Sequence, residues 1–169
     1  MNPPSIPVPA RHSLPFAALL LALVAPACAA FTFSDGTTDV CYAQGQPVTE
    51  VFAAPDDPTM QNRTGRATKV AGRWQLIWNA ARLKALPADV RDFIFFHECA
   101  HAQIPTEVEF EANCAGLIEM RASGRATPTY EARLKRLYAS EPYWIDTFKC
   151  ADVYAERQRE KNPSASPPK

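Results

Sequence analysis

Residues 97–101 read His97-Glu98-Cys99-Ala100-His101, the pattern H-E-x-x-H. In a helix, residues four apart share a face, so both imidazoles can reach one Zn²⁺ while Glu98 stands beside them to handle the proton of an attacking water. The competing reading is a pair of core histidines that share a helix by chance. That reading leaves two imidazoles and a carboxylate in an apolar helix without compensating partners, which is costly. A metal removes the cost.

A zinc site that keeps one position for water needs a third protein ligand. The chain has three histidines, and His12 falls in the N-terminal segment read below as an export signal. The third ligand is therefore an acid or a cysteine. Shortly downstream, Glu107-Val108-Glu109-Phe110-Glu111-Ala112-Asn113-Cys114-Ala115-Gly116 opens a helix-like stretch dense in carboxylates.

Together these residues resemble the gluzincin metallopeptidases, especially the minigluzincin-type groups. There, H-E-x-x-H is followed by a helix carrying E-x-x-A-D or E-x-x-A-N, whose glutamate completes the zinc site. The resemblance covers roughly Trp74 to Met120. It implies that His97, His101 and Glu109 bind zinc, that Glu98 is the catalytic base, and that Asn113 orients a ligand histidine. Asn113 departs from the more usual aspartate, and its amide oxygen is a weaker acceptor than a carboxylate. A helical wheel agrees, with Glu109, Asn113, Gly116 and Met120 on one stripe and Ala112 beside it, small enough in part for close approach to the histidine helix. Glu107 and Glu111 point to roughly the opposite side and read as a solvated acidic edge.

The elements that must position these residues follow from local pattern. From Phe31 to Asp57, short apolar pieces broken by Asp35-Gly36, Gly45, Pro47 and Pro55-Asp56-Asp57-Pro58 predict loops with one or two short strands. Trp74 to Asn79 is β-favouring and aromatic-rich, and predicts a strand. In zincins the strand before the metal helix is usually a sheet edge that pairs with extended substrate. Trp74 to Asn79 has that place, although it also reads as an ordinary core strand. Residues 80–86 predict a short helix, and Pro87 suits the first turn of the next. From Val90 to Ala102 apolar residues appear on nearly every face, which predicts a central buried helix. Further helices are expected over about Glu107 to Ala122 and Tyr130 to Ala139. The fold expected is α+β and zincin-like, with short N-terminal strands followed by a helix-rich half carrying H-E-x-x-H and a second ligand helix.

The chain of 169 residues suits one domain with trimmings. Arg11, the apolar run Phe16 to Val24 and Ala27-Cys28-Ala29 read as an export signal over 1–29, with cleavage near Ala29 or Ala30. The apolar run is interrupted by Pro26 and is short of the roughly 20 residues a membrane span needs. The expected domain then covers 30–155, and the charged, Pro-rich stretch 156–169 reads as a disordered tail. Four cysteines remain after cleavage: Cys41, Cys99, Cys114 and Cys150. In a periplasmic or extracellular protein they predict disulfides, and we expect Cys99 with Cys114 and Cys41 with Cys150.

Eighteen basic and eighteen acidic residues balance, which gives no field for nucleic acid. No glycine-rich phosphate loop or internal repeat is present. The sequence thus predicts an exported zinc-dependent endopeptidase acting on a peptide or protein substrate, with no nucleic acid partner and no membrane span once the signal is removed. The rival is a non-catalytic, zinc-stabilised exported binding domain. A redox role for Cys99 and Cys114 is weaker, because no C-x-x-C occurs. No oxyanion-stabilising side chain stands out, Tyr130, Tyr138, Tyr143 and Tyr154 being equal candidates.

Overall fold

The computed structural model describes residues 30–161. The export signal expected over 1–29 and the end of the tail lie outside these residues. Short strands precede a helical half, an α+β arrangement. The strands are β1 (Phe31–Thr32), β2 (Thr38–Asp39), β3 (Tyr42–Ala43), β4 (Gln46–Pro47), β5 (Thr49–Phe52), β6 (Gly65–Val70) and β7 (Arg73–Trp78). The helices are α1 (Ala80–Ala85), α2 (Ala88–Gln103), α3 (Glu109–Ala122), α4 (Pro128–Leu137) and α5 (Pro142–Lys161).

β1/β2 and β3/β4 are small antiparallel pairs, and β5, β7 and β6 form a mixed three-stranded sheet in that order. β7 is therefore the central strand, parallel to β5 and antiparallel to β6. This corrects the expectation of an edge at Trp74 to Asn79. The edge beside the helices is β6, which the sequence reading did not identify as a strand. Its hairpin turns at Ala71 and Gly72, both with positive φ (49° and 79°) between the paired Val70 and Arg73. That is the two-residue primed turn whose twist matches the strands.

Helix boundaries follow local chemistry. The Asn79 side chain accepts from the Arg82 amide to cap α1, and Thr127 caps α4 in the same way, with Pro128 at its first position. Pro87 stands just outside α2, at its N-cap. Asp89 in the first turn of α2, and Glu109 and Glu111 in that of α3, complement the helix dipoles.

α2 is the centre of the core, burying Val90, Phe93, Phe95, Phe96, Cys99, Ala100 and Ala102. Phe31 and Phe33 of the N-terminal segment meet Phe95 with ring centroids 5.0 and 5.1 Å apart, and Trp78 lies 5.3 Å from Phe31. α3 packs on another face of α2, where Gly116 permits the approach. A Cβ at Gly116 would lie 2.9 Å from the backbone nitrogen of His97.

Two disulfides are present, Cys41–Cys99 and Cys114–Cys150. The expected pairing is thus wrong in both bonds. Cys99 faces away from His97 toward β3, so it cannot meet Cys114, which lies on α3 where α5 packs. The expected tail is also corrected at its start: α5 continues through Lys161, because Glu156 to Lys161 consists of strong helix formers extending a helix already anchored at Cys150. No helix among the described residues is long and apolar enough to cross a membrane. The two disulfides fit an exported protein.

Candidate metal centre

His97 and His101 lie one turn apart on α2, with their Nε2 atoms 3.2 Å from each other. Both rings are fixed by their other nitrogen. His97 Nδ1 donates to Asn113 Oδ1 at 2.7 Å, and His101 Nδ1 donates to the Thr106 carbonyl at 2.7 Å. A carbonyl oxygen can only accept, so Nδ1 carries a proton and, in the neutral ring, Nε2 is left with its lone pair. These are the tautomers a metal ligand requires.

Glu109, the first residue of α3, brings its Oε2 to 3.1 Å from His97 Nε2 and 3.7 Å from His101 Nε2. Four ligands held tetrahedrally at 2.0–2.1 Å from a zinc ion lie roughly 3.3 Å from one another. The three atoms form a triangle of that size. His97, Glu98 and His101 also offer donor atoms within 4.8 Å of one another, a group that could hold a metal ion.

Glu98 is turned a different way. It is buried, and one oxygen accepts from the Ala67 amide of β6 at 2.9 Å. Room for it depends on Gly65, where an added Cβ would lie 2.7 Å from Glu98 Cγ and 2.6 Å from the Trp78 ring. Burial raises the Glu98 pKa, opposed by the charges of His97 and His101 and by the Ala67 amide. Burial by itself would lower the His97 pKa, but the hydrogen bond to Glu109 and the charges of Glu98 and Glu109 outweigh it and the net shift is upward. Glu109 is held below the usual carboxylate range, chiefly by the hydrogen bond that the protonated form of His97 donates to it.

The structure therefore brings together His97, Glu98, His101, Glu109 and Asn113. It places Cys41, Cys99, Cys114 and Cys150 in disulfides outside this cluster. Glu111, read as part of a solvated edge, is exposed but engaged. Its Oε2 accepts from Thr106 Oγ1 at 2.5 Å, and the same hydroxyl accepts from the Val108 amide at 3.0 Å. The loop whose carbonyl orients His101 is thus tied to α3. Thr106, Ala67 and Gly65 were not singled out from sequence. The Ala71-Gly72 turn is a signal that could have revealed β6, and a threonine five residues before a glutamate carries none. Tyr130 is removed from the oxyanion candidates, since its hydroxyl donates to the Asp89 carbonyl at the far end of α2.

Compared with known proteins, the chain matches no protein family, no curated protein and no solved structure.

Proposed function

We propose that this chain is an exported zinc metallopeptidase of the gluzincin type with a zincin-like fold, cleaved after Ala29 so that Ala30 begins the mature protein. The observation that carries the reading is the triangle of His97 Nε2, His101 Nε2 and Glu109 Oε2, at 3.1, 3.2 and 3.7 Å. Each histidine has its other nitrogen satisfied. Two imidazoles and one carboxylate, one ligand short of tetrahedral closure, are the donor set of a catalytic rather than a structural zinc site. Zinc bound there supplies Lewis acidity, lowering the pKa of water to about 7 and polarising a peptide carbonyl.

The remaining chemistry belongs to the chain. Glu98 takes a proton from the attacking water and returns it to the leaving amine, a role served by burial that raises its pKa. The Ala67 amide holds the carboxylate in place. β6 has no strand on its outer side among the described residues, and that edge is suited to pair with an extended peptide substrate beside Glu98.

The test is metal content by native mass spectrometry together with turnover of an unstructured protein such as casein, with and without a chelator. One zinc per chain and chelator-sensitive cleavage support the proposal. One zinc without turnover would favour the rival, a metal-stabilised exported binding domain, and no metal would overturn both.

A further inference from the structure

Among the described residues, two buried acids lie outside the metal site: Asp92, whose oxygens both accept from Ser34, and Glu50 on β5. Glu50 is 5% exposed, and its Oε2 accepts from the Trp78 indole at 2.8 Å, while Oε1 has no hydrogen-bond partner among the described residues. A buried carboxyl oxygen without a partner is costly, more so when ionised. The carboxyl borders a pocket of about 290 Å³ whose walls include Phe31, Trp78 and Leu83 together with the cations Lys84 and Arg91, neither of which is bonded to Oε1. Ala30 lines the same pocket and is itself exposed. The next amide along, that of Phe31, acts favourably on the Glu50 carboxylate. The backbone nitrogen of Ala30 is thus one residue from a group already interacting with Glu50.

The sequence supplies the second, independent observation. Ala27-Cys28-Ala29 has the small-residue pattern of a signal cleavage site, and a cut after it converts the Ala30 nitrogen from an amide into an ammonium. We propose that this new α-ammonium is the missing partner of Glu50, so that removal of the export signal completes an ion pair at the base of β1. This rests on the cleavage proposed above. An ammonium offers three donors where the uncut chain has one amide N–H, and a charge opposite to the carboxylate. The pair locks the first strand to β5 and β7, and through Phe31 to the core around α2. Processing then acts as a stabilising step in addition to freeing the protein from its signal.

The experiment has two parts whose failures are distinct. Intact mass and N-terminal sequencing of the exported protein identify its first residue, and any start other than Ala30 removes the cleavage on which the pairing depends. Chains starting at Ala30 are then prepared with a free or an acetylated α-amine, each with Glu50 or with Glu50→Gln. With Glu50, the free amine should raise the melting temperature by about 3 °C over the acetylated form, the shift expected of one modest ion pair in a domain of this size. In Glu50→Gln that difference should vanish. Labelling of the Ala30 amine at neutral pH, read on its N-terminal peptide, should be about tenfold slower with Glu50 than with Glu50→Gln, as for an amine pKa raised by one unit. Equal melting of the free and acetylated Glu50 forms overturns the proposal even if Glu50→Gln fails to fold. Equal labelling rates overturn it as well.

Discussion

His97 Nδ1 and Asn113 Oδ1 are 2.7 Å apart and buried, joining the two helices that carry the candidate metal ligands. Removing the acceptor frees the His97 ring to rotate and to take the wrong tautomer. Asn113→Ala should lower zinc affinity by roughly 10- to 100-fold. Asn113→Asp, a stronger acceptor of the same shape, should match or exceed the wild type. Competition with a chromophoric chelator measures both, and unchanged affinity in Asn113→Ala would mean that the bond does not orient the ligand.

Glu98→Gln should keep zinc and lose turnover. The amide oxygen of glutamine can still accept from the Ala67 N–H, so the fold and the histidines stay in place while the base is removed. A loss of about 10²- to 10⁴-fold is expected for a general base. Retention of full peptidase activity would remove Glu98 from the mechanism.

Among Glu107, Glu109 and Glu111, Glu109→Ala should cost the most zinc affinity, since its Oε2 closes the triangle with both histidines. Glu107→Ala should cost little. Glu111→Ala should fall between, because it releases Thr106 and with it the carbonyl that orients His101. A titration series on the three variants gives the order. Zinc lost from Glu111→Ala but kept by Glu109→Ala would show that the ligand has been assigned one turn phase wrong.

The site was legible because its information is local. Helical spacing alone aligns His97 with His101 and sets Asn113 and Gly116 on one stripe, and α2 announced itself by apolar residues on every face. What escaped the sequence depends on how elements assemble. The partner of Cys99 is set by which neighbour α2 turns that face toward, and that partner, Cys41 just before β3, lies 58 residues upstream. β6 carries Arg66, Thr68 and Lys69, with only partial burial and no clear alternation, so its strand character comes from pairing with β7. Glu98's hold on Ala67 spans 31 residues and could not be read from either segment.

Unreduced peptide mapping should recover the linked pairs Cys41–Cys99 and Cys114–Cys150 and no Cys99–Cys114 peptide. The loops they close span 58 and 36 residues, worth about 4 kcal/mol each in the chain-entropy account. Replacing either pair with alanine should lower the unfolding free energy by an amount of that order in a urea titration.

Glu50 gives a pH dependence whose sign can be fixed. Where residue 30 carries an amide, burial raises the Glu50 pKa from 4.5 to about 7, against the Trp78 hydrogen bond and the nearby Phe31 amide. The native state then holds a proton that the unfolded state has released between pH 4.5 and 7. Stability from this group is present below pH 4.5 and is lost as pH rises through 7. Subtracting the unfolding profile of Glu50→Gln, measured in urea on chains extended beyond Ala30, isolates the effect. A difference that grows in the opposite direction would mean the carboxyl is ionised and paired.

The two disulfides divide the cross-linking of the molecule. Cys41–Cys99 closes entirely within the strands and α2, and Cys114–Cys150 entirely within α3 to α5. Across the seam between α2 and α3 run the short connection at residues 104–108 and non-covalent contacts such as His97 with Asn113 and Arg133 with Asp89. A metal held by two ligands from one half and one from the other would add a further tie across that seam, beside the core that Phe93 and Phe96 of α2 share with Leu117, Leu134 and Phe148. The seam is thus the one place where neither disulfide contributes, and cohesion between the two stapled halves rests on packing and on the site itself.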